Sequence, residues 1–522
     1  MVFASLSPPE FELASSRNKI LDLDGLRVVR DRHRSKRVVH CHGVFDVLHA
    51  GHLAYFSAAK KLGDYLVVTV TSDKFVNKGP GRPLFSATVR AKMIEALELV
   101  DYVCISEFSS AVNVIEALQP DFYVKGQDYR DKAADITGAI YHEESSVKSG
   151  GGKLIFTEDE MLSSSTLINK FFAPWTEDQQ RMLETVVALG GIATIEDVFS
   201  RLSKLNVMVI GEPIVDTYVF CEPQGISSKS PSISAKYLYQ EDYAGGSLAI
   251  ANHLSSFVNH VRVYFTHGGE EYFRKILKSR MAPNVTLCDF NLPNIPTPRK
   301  TRFIEAYKSQ RIFEITDLVS DQWEHHSADT FCDLIRKENR AADVVVVADF
   351  GHGLIEKSVL RSLEHFEGFV SLNVQTNSSN FGHNPFTKHR RFSFLNVDTR
   401  EVRIAFQDRF TAPLELAREA QRRLSSTKAT LAMTTGPNGS YFFPGDADRY
   451  YHSPAFADGV VDATGAGDAF FALTSLLVKE GCPDELIPFL GNVFAGLKTK
   501  IMGNKSFVTK PQLLKSVASI LK

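Results

Sequence analysis

The chain has 522 residues, 44% of them hydrophobic, and its 59 Lys+Arg nearly balance 61 Asp+Glu for a formal net charge of -2. At ~100–200 residues per domain this predicts two or three folded domains, and the charge balance argues against a basic nucleic-acid surface or an acidic tail. No apolar run approaches the ~18–20 residues that a membrane span needs. The N-terminus, MVFASLSPPEFELASSRNK, lacks a basic stretch followed by an apolar one, so no secretory signal is expected. The six cysteines, Cys41, Cys104, Cys221, Cys288, Cys332 and Cys482, stand far apart with no CxxC pair. They read as reduced thiols of a cytoplasmic protein.

In chain order, RVVHCHGVF predicts a strand running into a loop, and HLAYFSAAKKLG a helix closed by Gly63 as C-cap. DYLVVTVTSD is a buried strand, ATVRAKMIEALELV a helix, DYVCISE a strand. SAVNVIEALQP is a helix stopped by Pro120. DFYVKGQDY and KLIFTED are strands, and SSSTLINKFF opens a helix. Such alternation predicts a parallel sheet with helices on both faces. Residues 173–204 read as a helical connection. A second α/β pattern then begins at LNVMVIGEPIVDTYVF and continues through ADVVVVADFGHG, GFVSLNVQTN and ATLAMTTGPNGSYFF to the helical stretch after Gly467. The expected domains are 1–172, the connection 173–204, and 205–522.

The first chemistry-bearing string is HGVFDVLHAGH. A strand ends at Gly43, and His49-Ala50-Gly51-His52 opens a helix. Two imidazoles three residues apart, a glycine that lets a phosphate approach the backbone, and the positive end of a helix form an anion site. The site suits a triphosphate and the charge that develops at its α-phosphoryl group. A zinc pair is the poorer reading, since such histidines usually stand at i,i+4 and no third ligand is apparent.

GVFDVLHAGH, with LGDYLVVTVTSD, KGPGRPLFSATVR, VKGQDY and SSSTLINK in the same order, resembles the HxGH nucleotidyltransferases of the cytidylyltransferase-like superfamily over roughly residues 18–172. The resemblance implies a Rossmann-like domain. In it His49 and His52 stabilise the transition state, and Lys125 contacts phosphate. Ser164, Ser165 and Thr166 hydrogen-bond the β- and γ-phosphates, and Asp46 orients the loop or helps hold Mg²⁺. Lys78 and Arg82 would neutralise the leaving pyrophosphate. Gly43, Phe45, Gly51, Gly126 and Asp128 complete the implied nucleotide site. EMLSSST is closer to the sugar-phosphate branch than to the RTxGIST-type motif of glycerol- and choline-phosphate members, which favours ATP over CTP modestly.

The second string, DATGAGDAFFA, places Gly465, Ala466 and Gly467 at a helix mouth whose N–H groups can hold a transferring phosphoryl group. Asp468 stands where it can take a proton from an attacking hydroxyl. The extended string resembles the signature of the PfkB (ribokinase-like) sugar kinases, over roughly 205–520. Asp216 in VMVIGEPIVDTYVF would contact sugar, as would Gly245 and Gly246 in YAGGSLAIANHL. Thr435, Gly436 and Gly439 of MTTGPNGSYFF would lie near the nucleotide, as would Asn492. Two departures stand out. Ala249 occupies the position of the family's sugar-binding Asn, leaving Asn252, Asn373, Asn377 or Asn380 as substitutes. The DPKG-like segment is replaced by VSLNVQTNSSNFGHN. His352 in FGHG is either a substrate contact or a loop histidine. SPSISAKYLYQEDY reads as a small β-lid and as the candidate surface for a homodimer.

Together the halves resemble the two activities of the bifunctional heptose kinase/adenylyltransferases, in reversed order. The implied function is a sugar-activating enzyme: an ATP- and Mg²⁺-dependent kinase acting on a sugar such as heptose phosphate, plus a sugar 1-phosphate nucleotidyltransferase. Its partners are a sugar phosphate and a nucleoside triphosphate, its product a nucleotide-sugar for cell-surface polysaccharide. The competing readings are a CTP-dependent polyol- or sugar-phosphate cytidylyltransferase fused to a kinase, and a protein in which one domain only binds ligand.

Overall fold

The computed structural model describes residues 19–76, 82–127, 130, 138–157, 175–292, 295–318, 325–338, 342–355, 357–378, 380–457 and 459–521. The chain divides into two compact units, one reaching to Pro174 and the other spanning Trp175–Leu521.

The first unit alternates β1 (Ile20–Leu21), α1 (Leu23–Arg32), β2 (Val38–Gly43), α2 (Ala50–Lys60), β3 (Tyr65–Thr71), α3 (Ala87–Glu95), β4 (Tyr102–Ser106), α4 (Val112–Leu118), β5 (Phe122–Lys125), α5 (Ala139–Ser149) and β6 (Lys153–Phe156). Its described strands form a parallel sheet in the order β1-β4-β3-β2-β5-β6. From β2 the chain first winds outward through β3 and β4, then returns to β5 on the other side. The carboxyl ends of β2 and β5 therefore flank the switch point, where open parallel sheets hold ligands. The central strands are buried on both faces, with Leu66, Val67, Val68 and Val70 fully covered, which is why they read as continuous apolar runs. Gly63 is not the C-cap expected of it. Helix α2 ends at Lys60 and is capped by Lys61 in the right-handed region. A Cβ on Gly63 would lie 2.6 Å from Val39 Cγ2 and 2.7 Å from the Arg37 carbonyl oxygen, so this glycine serves close packing.

The second unit begins with α6 (Glu177–Ala188) and α7 (Gly191–Leu202), the segment read as a connection. Both helices pack within this unit. Val186, Ile195, Phe199 and Leu202 are buried, and Gln179 Nε2 donates to the Ala455 carbonyl (2.8 Å). There follow β7 (Asn206–Gly211), β8 (Pro213–Ile226), β9 (Ile233–Gly246), α8 (Ser247–Ser255), β10 (His260–His267), α9 (Glu271–Arg280), β11 (Val285–Asn291), β12 (Arg299–Glu305), β13 (Gln310–Asp317), α10 (His325–Glu338), β14 (Val344–Asp349), α11 (Lys357–Glu364) and β15 (Phe369–Val374). The unit ends with β16 (Phe394–Asp398), α12 (Thr399–Phe406), α13 (Pro413–Arg423), β17 (Thr430–Thr434), β18 (Ser440–Phe443), β19 (Tyr451–Ser453), α14 (Ala466–Lys479), α15 (Leu486–Lys498) and α16 (Lys510–Ile520).

The main sheet runs β11-β10-β7-β14-β15-β16-β17-β18-β19, and a second one β13-β12-β8-β9. The main sheet is parallel from β11 to β17, and its switch point lies between β7 and β14. Helix α14 is buried all round from Asp468 to Leu477. Phe470, Phe471, Leu473, Leu476 and Leu477 are almost wholly buried, each stabilising by about 1.5–3 kcal/mol. A helix so held fixes whatever its first turn carries. The segment read as a lid is β9, paired antiparallel with β8.

Candidate active sites

In the first unit, β2 runs out at Gly43 and the chain turns sharply. A Cβ on Gly43 would meet the Phe45 ring at 2.9 Å, and Phe45 has φ +50°, a conformation that costs a non-glycine residue about 1–3 kcal/mol and clusters at functional sites. The turn buries Asp46. Its Oδ1 accepts the backbone N–H of Leu84 (2.7 Å) and of Phe85 (3.2 Å), and its Oδ2 lies 3.5 Å from Arg82 Nη1, both side chains being covered. Asp46 thus ties the following loop in place, and the guanidinium expected at a pyrophosphate is buried against it. Burial lowers the Arg82 pKa, opposed by the Asp46 charge.

His49 is the N-cap of α2 in extended conformation, and His52 lies in its first turn. Their rings stack at 3.9 Å, and the Phe45 ring meets His52 edge-on at 5.3 Å. The two imidazoles are brought together by one extended and one helical residue rather than by helical spacing alone. The first turn of α2 carries no acidic residue, so nothing on the helix offsets its positive end. Gly51 is buried between them in sequence.

Across the switch point, Lys125 closes β5. Its Nζ is 3.0 Å from Glu143 Oε2 and 5.2 Å from the Tyr123 ring centroid; Tyr123 Oη donates to the same carboxylate at 3.0 Å. Gly126 follows, buried. Beneath lies a polar cluster that sequence reasoning did not single out. Thr69 Oγ1 sits 2.8 Å from both His40 Nε2 and His42 Nδ1, and burial, aided by the Lys125 charge, brings the His40 pKa down to about 3. The signal was available: His40 and His42 alternate on one face of an otherwise apolar strand. Lys78, Asp128, Ser164, Ser165 and Thr166 lie outside the described residues.

In the second unit, Gly465 (φ +77°) is the N-cap of α14, with Ala466, Gly467 and Asp468 in its first turn. A Cβ on Gly467 would meet nothing within 4 Å, so open space faces this turn. Asp468 Oδ1 accepts from Gln375 Nε2 (2.7 Å). Burial raises the Asp468 pKa to about 6; Asp216 adds to the rise, while the Gln375 bond, Lys498 and Lys300 oppose it. That value suits a general base near neutral pH. Lys498 is fully buried, and its Nζ donates to the carbonyls of Thr464 (2.8 Å) and Gly503 (2.7 Å). Asp462 accepts from Tyr218 Oη (2.6 Å), Thr464 N (3.0 Å) and Gly503 N (2.9 Å), and Arg311 Nη2 of β13 donates to Thr464 Oγ1 (2.9 Å). The small sheet therefore braces the glycine-rich turn.

Asp216 on β8 is bonded by Arg302 and accepts from Asn504 Nδ2 (2.9 Å). A Cβ on Gly245 would fall 2.1 Å from Asp216 Oδ2, and Gly246 (φ +61°) starts α8. Lys300, Arg302, Lys498 and Gln375 were missed by sequence reasoning. Each is an ordinary residue type, Gln375 sitting within the segment that replaces the DPKG-like one, and only the folded chain brings it beside Asp216 or Asp468.

The other expected contacts are occupied within the protein. Asn252 Nδ2 donates to the Arg280 carbonyl (2.9 Å), and its Oδ1 accepts from Ala282 N (2.9 Å). Asn377 and Asn380 donate to the Phe350 carbonyl, and Asn373 to that of Asn396. Ala249 is buried in α8. Asn492 Nδ2 holds the carbonyls of Ser453 (2.8 Å) and Pro454 (3.1 Å). Thr435 N and Oγ1 both donate to the Gly439 carbonyl, closing the hairpin around Gly436. Glu212, just past β7, accepts the backbone N–H groups of Phe350 (2.9 Å), His352 (3.3 Å) and Leu354 (3.1 Å). It thereby shapes the loop at the switch point, and burial with the neighbouring Asp349 charge raises its pKa to about 7. His352 Nε2 is buried without a hydrogen-bond partner, and burial together with the Lys300 charge lowers its pKa to about 3.

Among the described residues no group of three His, Cys, Asp or Glu could hold a metal ion. Mg²⁺ commonly takes one or two carboxylates with phosphate oxygens, so the residues present fit a cation that arrives with a nucleotide. No helix among the described residues is long and apolar enough to cross a membrane.

Comparison with known proteins agrees with this division. Residues 40–171 match the family model "Cytidylyltransferase-like", and residues 393–507 match "pfkB family carbohydrate kinase". The chain is 39% identical over 145 residues to the Bifunctional protein HldE of Methylobacillus flagellatus, covering 27% of this chain and 28% of that one. It is 45% identical over 116 residues to that of Campylobacter fetus, covering 22% and 25%. The matched part thus spans only about a quarter of these relatives. Among solved structures, Arabidopsis thaliana ribokinase complexed with ribose and ATP aligns with a TM-score of 0.44 at 18% identity, over 61% of this chain and 99% of that one. The chain accordingly carries a cytidylyltransferase-like region at 40–171 and a pfkB-like region at 393–507.

Proposed function

We propose that the protein is a two-headed sugar-activating enzyme, with nucleotidyl transfer in residues 1–172 and phosphoryl transfer in residues 205–522. The observation that carries the reading is the placement of two helix mouths of opposite chemistry. One at 49–52 presents two stacked imidazoles and no carboxylate; the other at 465–468 presents a buried carboxylate with a pKa near 6.

In the second unit, Asp468 takes the proton from a sugar hydroxyl as that oxygen attacks the γ-phosphorus of ATP. The turn Gly465–Gly467 and the end of α14 hold the developing charge. Asp216, with Gly245 and Gly246, orients the acceptor. In the first unit, the phosphate of a sugar 1-phosphate attacks the α-phosphorus of a nucleoside triphosphate. His49 and His52 stabilise the transition state, and Gly43, Phe45, Gly51 and Gly126 line the nucleotide's path. Lys125 serves the phosphates once they compete with Glu143 for it. Mg²⁺ arriving with the nucleotide would supply charge neutralisation on the phosphates. The sequence resemblance to heptose kinase/adenylyltransferases makes heptose phosphates the first acceptors to try and ATP the first donor. Exposed Ile226, Ile233, Tyr237, Tyr239, Phe313 and Ile315 on the small sheet support a homodimer through that sheet, and cysteines that form no disulfide suit a cytoplasmic enzyme.

The test is turnover. With ATP, Mg²⁺ and heptose 7-phosphate the protein should release ADP; with heptose 1-phosphate it should release pyrophosphate, compared across ATP, CTP and GTP. Absence of both products across a panel of sugar phosphates overturns the reading.

A further inference from the structure

A single side chain holds the Asp468 carboxyl. Gln375, just past β15, donates from Nε2 to Asp468 Oδ1 at 2.7 Å, and the described residues form no second hydrogen bond with that carboxyl. The amide is itself fixed. Its Nε2 also donates to Asn373 Oδ1 (3.2 Å), and Asn373 Nδ2 donates in turn to the Asn396 carbonyl on β16 (3.0 Å). The Gln375 backbone is pinned as well: its N–H donates to the Asp349 carbonyl (2.9 Å), and its carbonyl accepts from Asn384 Nδ2 (3.2 Å). Reversing the amide would set its Oε1 against two acceptors, Asp468 Oδ1 and Asn373 Oδ1, so one orientation alone satisfies the row. Asn373 and Asn396 are buried within the sheet, where amides are costly unless bonded, and the row they begin ends on the carboxyl read above as the base. Gln375 belongs to VSLNVQTNSSNFGHN, the segment in which this chain departs from the kinase pattern.

We propose that Gln375 is the positioning residue of the kinase site: through a row of amides anchored in the sheet it holds Asp468 by Oδ1 and leaves Oδ2 to the acceptor hydroxyl. This rests on the kinase reading above. The bond is charge-assisted while Asp468 is ionised. As the hydroxyl attacks, its O–H bond breaks, the proton goes to Oδ2, and the electron pair stays on the oxygen that bonds phosphorus. A neutral donor suits this task, because it orients the carboxylate with less loss of proton affinity than a cation in its place would bring. The charged groups that face Asp468 are Asp216 of β8, Lys300 of β12, Glu401 of α12 and Lys498 of α15. They act on it through space, so the direction in which the carboxyl points is left to Gln375.

The experiment replaces Gln375 in the full chain by leucine, which removes the donor, and by lysine, which keeps a donor and adds a charge. Two readouts are taken: the pH dependence of ADP formation, and the titration of the Asp468 carboxyl by ¹³C NMR of aspartate-labelled protein, its resonance assigned by its loss in Asp468→Asn. In Gln375→Leu, kcat should fall about tenfold or more while KM for ATP stays within twofold. The acidic limb of the rate and the carboxyl titration should both move up by about one pH unit, because the lost bond favours the ionised form. In Gln375→Lys both should move down. A residue that only fills space would not drive the two variants in opposite directions. Shifts of the same sign, no shift, or a loss of rate that comes wholly through KM overturn the proposal. The NMR titration needs no turnover. If the parent turns over no acceptor, the kinase reading fails, and opposite carboxyl shifts still uphold Gln375 as the residue that holds Asp468. If the parent turns over and the titration ignores Gln375, the proposal fails and the kinase reading stands.

Discussion

The two helix mouths solve opposite electrostatic problems. At the start of α2 the protein presents imidazoles, and the cation across the switch point, Lys125, is held against Glu143. At the start of α14 it buries Asp468 near Asp216, with Lys300 and Lys498 as counter-charges. In the reactions proposed above, the difference follows from where the reacting proton lies. A phosphate nucleophile is already ionised and needs only donors for the charge that develops. A sugar hydroxyl must lose a proton, so the second site keeps a carboxylate in surroundings that raise its affinity for one.

The sharpest way to break this contrast is to remove the base. Asp468→Asn should lower ADP formation by roughly 10²–10⁴-fold and leave pyrophosphate release within twofold; equal loss of both would show that the sites are not separate. The mirror experiment is His49→Ala or His52→Ala, each expected to cost roughly 10²–10³-fold in pyrophosphate release with ADP formation intact. A subtler probe is Gly467→Ala. No atom lies within 4 Å of the new methyl, so the melting temperature should hold while the kinase falls by tenfold or more, because the methyl enters the phosphoryl space.

The smallest effect concerns stability and pH. Burial lifts the Asp468 pKa to about 6 from the 3.8 of a free aspartate, so the native state binds the extra proton. Stability contributed by that proton is present at low pH and falls as pH rises from about 4 through 6. At pH 7 the buried charge costs up to about 3 kcal/mol. Asp468→Asn should therefore melt higher than the parent at pH 7 and alike at pH 4, as read by thermal denaturation. A lower melting temperature at pH 7 would refute the picture of a carboxylate destabilised by burial. The kinase rate should fall below about pH 6, whereas pyrophosphate release, which lacks this base, should show no limb attributable to Asp468.

The lesson about legibility comes from particular residues. The strings around His49 and Asp468 drew attention through their extended resemblance to family motifs, since glycine-rich turns with a capping carboxylate are common in themselves, and the structure places both at helix starts. Gly63 shows the limit: a glycine after a helix reads as a cap, yet here it makes room for Arg37 and Val39. Asn252 shows another, since an amide one turn from the sugar position reads as a ligand contact but is bonded at both ends to the backbone of residues 280–282.

Local periodicity and turn chemistry, carried by neighbours along the chain, were enough to announce two α/β units, their order, and the two glycine-bearing helix starts proposed as sites. Which charges surround those mouths depended on contacts between residues far apart in sequence, such as Arg302 with Asp216 and Gln375 with Asp468. Burial then set the proton affinities of Asp468 and His40. No residue's spacing encodes these things, because desolvation and long-range pairing exist only after the sheets have closed around them.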